Sequence, residues 1–195
     1  MGPAFRIGAR RERIGTAMWE WLYEMTDKLR YTPLVDFSLW VTDWPLAIWL
    51  QSNFLAIPGF QTLHILAIAV LFSSVLMLNM RIWGFTGKDQ DLSAAYRRYV
   101  PWSWWAAAAL VATGIVLLIS EPVRNMVNII FWLKMGFLAV AIAFSLVFFR
   151  AVRARMENFD VTADGRAALR SGAVALTVLW CVVITGGRWI AYAPV

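Results

Sequence analysis

Charge is scarce in this sequence. Of its 195 residues only 15% are charged and 61% are hydrophobic, with a mean hydropathy of +0.62, whereas soluble domains run at roughly 25% charged. A soluble globular domain and an intrinsically disordered chain are both excluded. The single cysteine, Cys181, rules out an internal disulfide and any cysteine-based metal cluster. The single histidine, His64, rules out a haem held by two histidines of one chain. No Ser/Gly/Pro-rich linker divides the chain, so one compact unit is expected. P-loop, GxGxxG, HExxH and nucleophile-elbow motifs are all missing. Catalysis of the soluble type has no support, and the isolated chain reads as non-enzymatic.

What the sequence does have is aromatic and basic. Twelve tryptophans and twelve phenylalanines are what a membrane protein collects at its two water interfaces. The net charge of +6 comes from basic residues that flank the apolar runs, where they meet lipid headgroups. Nucleic acid is not an expected partner.

Along the chain the apolar runs fall into an order. Arg6, Arg10, Arg11 and Arg13 are not followed by the apolar core of a cleavable signal peptide. Instead Ile14, Met18, Trp21, Leu22, Met25 and Leu29 recur every three or four residues, with Glu20, Glu24, Asp27 and Lys28 on other faces. That pattern predicts an amphipathic helix lying in the membrane interface. Residues 34–50 are apolar but carry Asp36, Asp43 and Pro45, and a carboxylate at mid-bilayer is penalised by about 2.5–3.5 kcal/mol. They are read as a second interfacial or half-inserted segment, with a fifth span as the alternative. Four spans follow, at about Ile57–Ile82, Trp102–Ser120, Val127–Phe149 and Leu169–Tyr192, each near the twenty or so residues that cross a bilayer. Pro101 is expected to start the second span.

The expected fold is therefore an all-α integral membrane protein. Residues 1–56 form an amphipathic interfacial region and residues 57–195 a four-helix transmembrane bundle. Arg81, Lys88, Arg97, Arg98, Arg150, Arg153, Arg155, Arg166 and Arg170 lie in or beside the loops 83–100 and 150–168, which places those loops in the cytoplasm. A multi-pass protein of a bacterial inner membrane is expected.

Ionisable groups inside a membrane are costly and mark functional sites. Gln61 and His64 sit early in the first span, Lys134 early in the third and Arg188 late in the fourth, while Glu121, Arg124, Asn125 and Asn128 fill the short outer turn. In an antiparallel bundle all of these share one outer layer. Thr177, Cys181, Thr185 and Arg188 make a weakly polar stripe on the fourth span that is expected to face the bundle. Ala139 with Ala143, and Ala168 with Gly172, have the spacing of close helix approach. The candidate cofactor site is His64, Gln61, Lys134 and Arg188, for haem, quinone or copper, with His64 as metal ligand; an interhelical hydrogen bond is the alternative role for His64. Lys134 and Arg188 either snorkel to headgroups or hold an acidic group, and Met77, Met80 and Met135 are candidate thioether ligands.

The runs QTLHILAIAVLFSSVLMLNMRIWG, SEPVRNMVNIIFWLKMG and TGGRWIAY resemble a family of uncharacterised small bacterial inner-membrane proteins, over about residues 33–192. More distantly, four helices with an early histidine resemble copper-resistance D proteins and b-type membrane cytochromes. The resemblance puts His64, Lys134 and Arg188 on recurrent polar positions, and Asn79 where an aspartate is expected. An accessory or anchor subunit of a larger electron-transfer complex is the favoured function, in contact with lipid and other membrane subunits. The alternative is a stand-alone haem-, quinone- or copper-binding protein using His64.

Overall fold

The computed structural model describes residues 19–86, 91–156 and 163–189. Arg6, Arg10, Arg11, Arg13, Ile14, Met18, Lys88 and the end of the fourth expected span lie outside them. The described residues form helices: α1 over residues 19–30, then α2 (Pro33–Thr42), α3 (Pro45–Ser52), α4 (Ala56–Trp83), α5 (Leu92–Ser120), α6 (Pro122–Met126), α7 (Ile129–Arg155) and α8 (Ala163–Trp189). Helices α4, α5, α7 and α8 are long and apolar enough to cross a membrane, which makes the chain a multi-pass membrane protein in contact with lipid.

Residues 34–50 do not add a fifth long helix. Pro33 and Pro45 each occupy a first-turn position, where the missing N–H costs nothing. The segment breaks between them into helices of 10 and 8 residues, roughly 15 and 12 Å long, against a hydrocarbon core of roughly 30 Å. Asp36 and Asp43 are exposed. Both helices pack at the α6 end of the bundle, α2 on α6 and α3 on α5 and α4. The Gln51 amide pins α3 there by donating to the Ser120 carbonyl at 3.0 Å. In α1 the expected stripe is half-buried at Leu22, Met25 and Leu29, whereas Trp21 is exposed.

The second span begins earlier than its proline suggests. α5 starts at Leu92 and Pro101 lies inside it, so most of the expected loop 83–100 is helix. A proline here leaves the Arg97 carbonyl without its i+4 donor. Arg97 and Pro101 are both exposed, so that carbonyl is not sealed in the core. The other long loop shrinks similarly, because α7 continues to Arg155 and α8 starts at Ala163. α4 stops at Gly84, whose φ of 85° lets its N–H and that of Phe85 fold back onto the Met80 carbonyl at 3.1 and 3.0 Å.

Two helical hairpins, α4–α5 and α7–α8, join along α4 and α8. Their seam follows the residue spacing. Leu169, Ala173, Leu176, Trp180 and Val183 are buried on α8, and Ala141, Ser145, Phe148 and Val152 on α7, where Phe149 is buried beside them. Steps of four and three are the repeat of knobs-into-holes packing. Buried residues make up no more than 33% of the most apolar window of any span. The remaining apolar surface, including Leu63, Ile65, Val147 and Val178, faces outward, as lipid contact requires.

The expected inward stripe of α8 is corrected. Thr177 packs toward α4, but Cys181, Thr185 and Arg188 are exposed. The Thr185 hydroxyl donates to the Cys181 carbonyl one turn back at 2.8 Å, so it needs no partner from the bundle. Ala139, Ala143 and Ala168 are exposed as well. Of the small residues singled out, Gly172 makes the close approach, against the ring of Phe148.

Candidate functional site

His64 and Lys134 come from different hairpins and both lie toward the α6 end. Counted along the helix axes, His64 lies eight residues past Ala56, Thr113 seven before Ser120 and Lys134 five past Ile129, roughly 12, 10 and 8 Å below that end. His64 and Lys134 therefore lie at similar depths, and Thr113, which the sequence reading did not single out, lies at the depth of His64. His64 is half-buried and its Nδ1 lies 2.8 Å from Thr113 Oγ1. Its Cε1 passes the Cα of Gly114, where a Cβ would stand 3.5 Å away. Glycine beside threonine on α5 therefore leaves the imidazole both a surface and a polar partner.

Lys134 approaches from α7 and runs along Gly187 of α8, with Nζ 3.5 Å from where a glycine Cβ would stand. It is half-buried and within electrostatic range of His64. Among the described residues no carboxylate pairs with it; the ion pair found there is Glu121–Arg124, 2.9 Å, in the exposed turn. An ammonium in this position carries an uncompensated charge.

The other expected members are exposed or are bonded within the turn and the α7 cap. Gln61 and Arg188 are exposed. Glu121, Arg124 and Asn125 are bound up with the turn itself, the Asn125 amide donating to the Glu121 carbonyl at 2.8 Å. Asn128 caps α7 by accepting from the Ile130 N–H at 2.9 Å. Above this turn a cleft of about 450 Å³ opens between Thr42, Gln51, Ile57 and Glu121. The methionines are not brought together. Met80 lies 24 residues along α4 and Met135 six along α7, roughly 36 and 9 Å from the same end.

Two polar groups deeper in the bundle were not expected as contacts. Asn79 is fully buried and its Nδ2 donates to the Ala173 carbonyl at 3.1 Å and to Thr177 Oγ1 at 2.8 Å, tying α4 to α8. Its Oδ1 has no partner. At mid-bundle the Trp180 indole donates to Ser145 Oγ at 3.3 Å, beside a cavity of about 10 Å³, the room of one water.

Metal ligation can be weighed on the donor set. Among the described residues no three of His, Cys, Asp and Glu cluster, and the one imidazole has an ammonium as its neighbour. A copper or haem-iron cation would add positive charge beside Lys134. A neutral or anionic oxygen ligand fits this pair better. It would accept from the ammonium and share a proton with the imidazole.

No curated protein and no solved structure matches the chain. Residues 53–193 match a family of unknown function (DUF6644), a stretch that takes in α4, α5, α7 and α8, and the chain belongs to that family.

Proposed function

We propose that the protein is a membrane subunit of an electron-transfer assembly and holds the headgroup of a lipid-soluble quinone in the His64–Lys134 layer. The observation that supports this reading is the pairing of a Thr113-tethered imidazole with a half-buried ammonium that has no carboxylate among the described residues. A quinone headgroup presents oxygens for both groups and brings no positive charge. Its isoprenoid or alkyl tail suits the apolar outer faces of the spans. Gln61 and Arg188 flank the layer on its exposed side and are proposed to meet the ligand's periphery or nearby headgroups.

In this reading the membrane is a bacterial inner membrane. The end of the bundle that carries Arg81, Arg97, Arg98, Arg150, Arg153 and Arg155 faces the cytoplasm, because basic residues are retained there. The His64 layer then lies toward the outer surface. The electron-transfer partner is proposed to be another membrane subunit.

The His64–Thr113 bond also favours a second reading. A histidine that ligates a metal commonly uses its other ring nitrogen on an outer partner, so a five-coordinate haem on His64 Nε2 is the alternative.

Purification in mild detergent separates the two readings. The expected result is co-purifying quinone in near-stoichiometric amount, lost in His64→Ala, together with partner subunits. A Soret band that disappears in His64→Ala would establish haem instead. A colourless preparation without quinone or partners would overturn the electron-transfer reading altogether.

A further inference from the structure

We propose that the site selects the hydroxyl form of its ligand, a hydroquinone or phenol, over the matching carbonyl form, and that Thr113 is the positioning residue that sets this choice. The proposal rests on the ligand reading above and names the chemical form of that ligand.

The argument follows one proton. The Thr113 hydroxyl has a single hydrogen, and it is donated to the Ala109 carbonyl one turn back at 2.7 Å. The Leu110 carbonyl, at 3.4 Å, is the more distant of its two acceptors. If Nδ1 carries the hydrogen across the 2.8 Å contact, Thr113 Oγ1 accepts from it and both bonds are made; with Nδ1 bare, the hydroxyl hydrogen has to serve either His64 or Ala109 and one bond is lost, so the Nδ1–H tautomer is favoured. In the neutral imidazole only one ring nitrogen is protonated, so Nε2 is left with its lone pair. A helix geometry that looks like ordinary threonine back-bonding thus biases the tautomer of a residue on another helix.

Nε2 as an acceptor discriminates between two forms of one headgroup. A hydroquinone O–H donates to it, while an oxygen of the headgroup accepts from Lys134. A quinone carbonyl brings a lone pair against the lone pair of Nε2, and one hydrogen bond goes unmade. An unmade bond at a partly buried group costs about 1–3 kcal/mol, which is roughly a 5- to 150-fold preference at 1.4 kcal/mol per factor of ten. Lys134 donates to either form and does not discriminate. No electron transfer is needed for the selection, which is a property of binding alone.

The test compares decylhydroquinone, kept reduced under argon, with decylbenzoquinone, by equilibrium dialysis against the full chain in detergent micelles. Wild type is expected to bind the hydroquinone at least fivefold more tightly. Thr113→Val keeps the side-chain shape but removes the acceptor, so Nδ1 loses its reason to be the protonated nitrogen; the ratio should fall to near one or invert. Thr113→Ser restores the oxygen and should restore the ratio, which a merely structural role for Thr113 would not predict. Lys134→Met should weaken both ligands alike. Melting temperatures of the variants check that each is folded. Equal or tighter binding of the benzoquinone by wild type, or an unchanged ratio in folded Thr113→Val, overturns the selection while leaving the quinone site standing. Failure of wild type to bind either compound removes both proposals together.

Discussion

Gly172→Ala adds one methyl group at a close contact between α7 and α8, and its effect follows from the geometry. A Cβ at position 172 would stand 2.9 Å from Phe148 Cε2 and 3.0 Å from Cδ2, about 0.5–1 Å inside the optimum for carbon contacts. The ring has little freedom to retreat. Phe148 is 4% exposed, stacks on Phe144 with centroids 6.4 Å apart and 10° between planes, and meets Phe149 at 6.2 Å. Overpacking of this kind costs about 1–3 kcal/mol, and the better helix propensity of alanine returns up to about 1 kcal/mol. A net destabilisation of about 1 kcal/mol is expected, within a range of about 0–3. Gly136→Ala is the control, because nothing lies within 4 Å of a Cβ there; it should be neutral or mildly stabilising. Equilibrium unfolding in mixed micelles, followed by the fluorescence of the twelve tryptophans, measures the difference. Phe148→Leu in the Gly172→Ala background should recover part of the loss. If the two alanine variants unfold together, Gly172 is not the contact that sets the α7–α8 spacing.

Substitutions at three further positions test the polar and proline sites by the same unfolding assay. Asn79→Leu loses two interhelical bonds, worth about 0.6 kcal/mol each in membranes, but also removes the buried oxygen that has no partner, so stability should stay within about 1 kcal/mol of wild type. Asn79→Ala should cost about 1–3 kcal/mol, because it adds a cavity to the lost bonds; equal losses in both variants would show that the bonds dominate. Asn128→Ala removes the N-cap of α7 and should cost about 1 kcal/mol, whereas Asn128→Ser keeps an accepting oxygen without the buried, unpartnered Nδ2 and should match or exceed wild type. Pro101→Ala supplies a donor to the Arg97 carbonyl and should stabilise α5, by no more than about 3 kcal/mol; a loss would mean that the shape imposed by the proline is part of the packing.

The spans were legible because hydropathy over twenty residues is a bulk property, and α4 differs by one residue at each end from the run expected for it. The start of α5 was hidden for two local reasons. Arg97 and Arg98 lower the hydropathy of its first turns, and proline at a helix start is the commoner arrangement than proline inside one. A membrane helix tolerates the interior proline when the freed carbonyl is not sealed in apolar packing, and the exposure of Arg97 is a tertiary fact that no window reports. The α8 stripe misled for a related reason. In water, a polar stripe on an apolar helix marks an outer face; in lipid, it is expected inside. Serine and threonine escape both rules because the helix itself satisfies them, as at Thr185 and Thr177. The true seam was marked by the 4-3-4-3 spacing of Leu169, Ala173, Leu176, Trp180 and Val183, which a nearly continuous apolar run conceals.

The same self-satisfaction of hydroxyls separates what was visible at the site from what was not. His64 and Lys134 stood out because each is an expensive group with few equals in the sequence, and their depths followed from counting turns. Thr113 did not stand out, since a threonine among alanines that bonds its own helix looks complete. It is complete only as a donor. Its oxygen still has lone pairs, and one of them meets His64. Asn79 makes the opposite case: its amide hydrogens are both spent on α8, so its role in holding helices together uses up its donors. Lys134 spends none of its three hydrogens on a described carboxylate and Nε2 of His64 keeps its lone pair. Buried depth alone would rank Asn79 as the stronger site. Asn79 keeps one unused acceptor, Oδ1, but sealed in the seam at 0% exposure, whereas the half-buried His64–Lys134 layer keeps an acceptor and donors within reach of the membrane, and that remainder is what a ligand has to match.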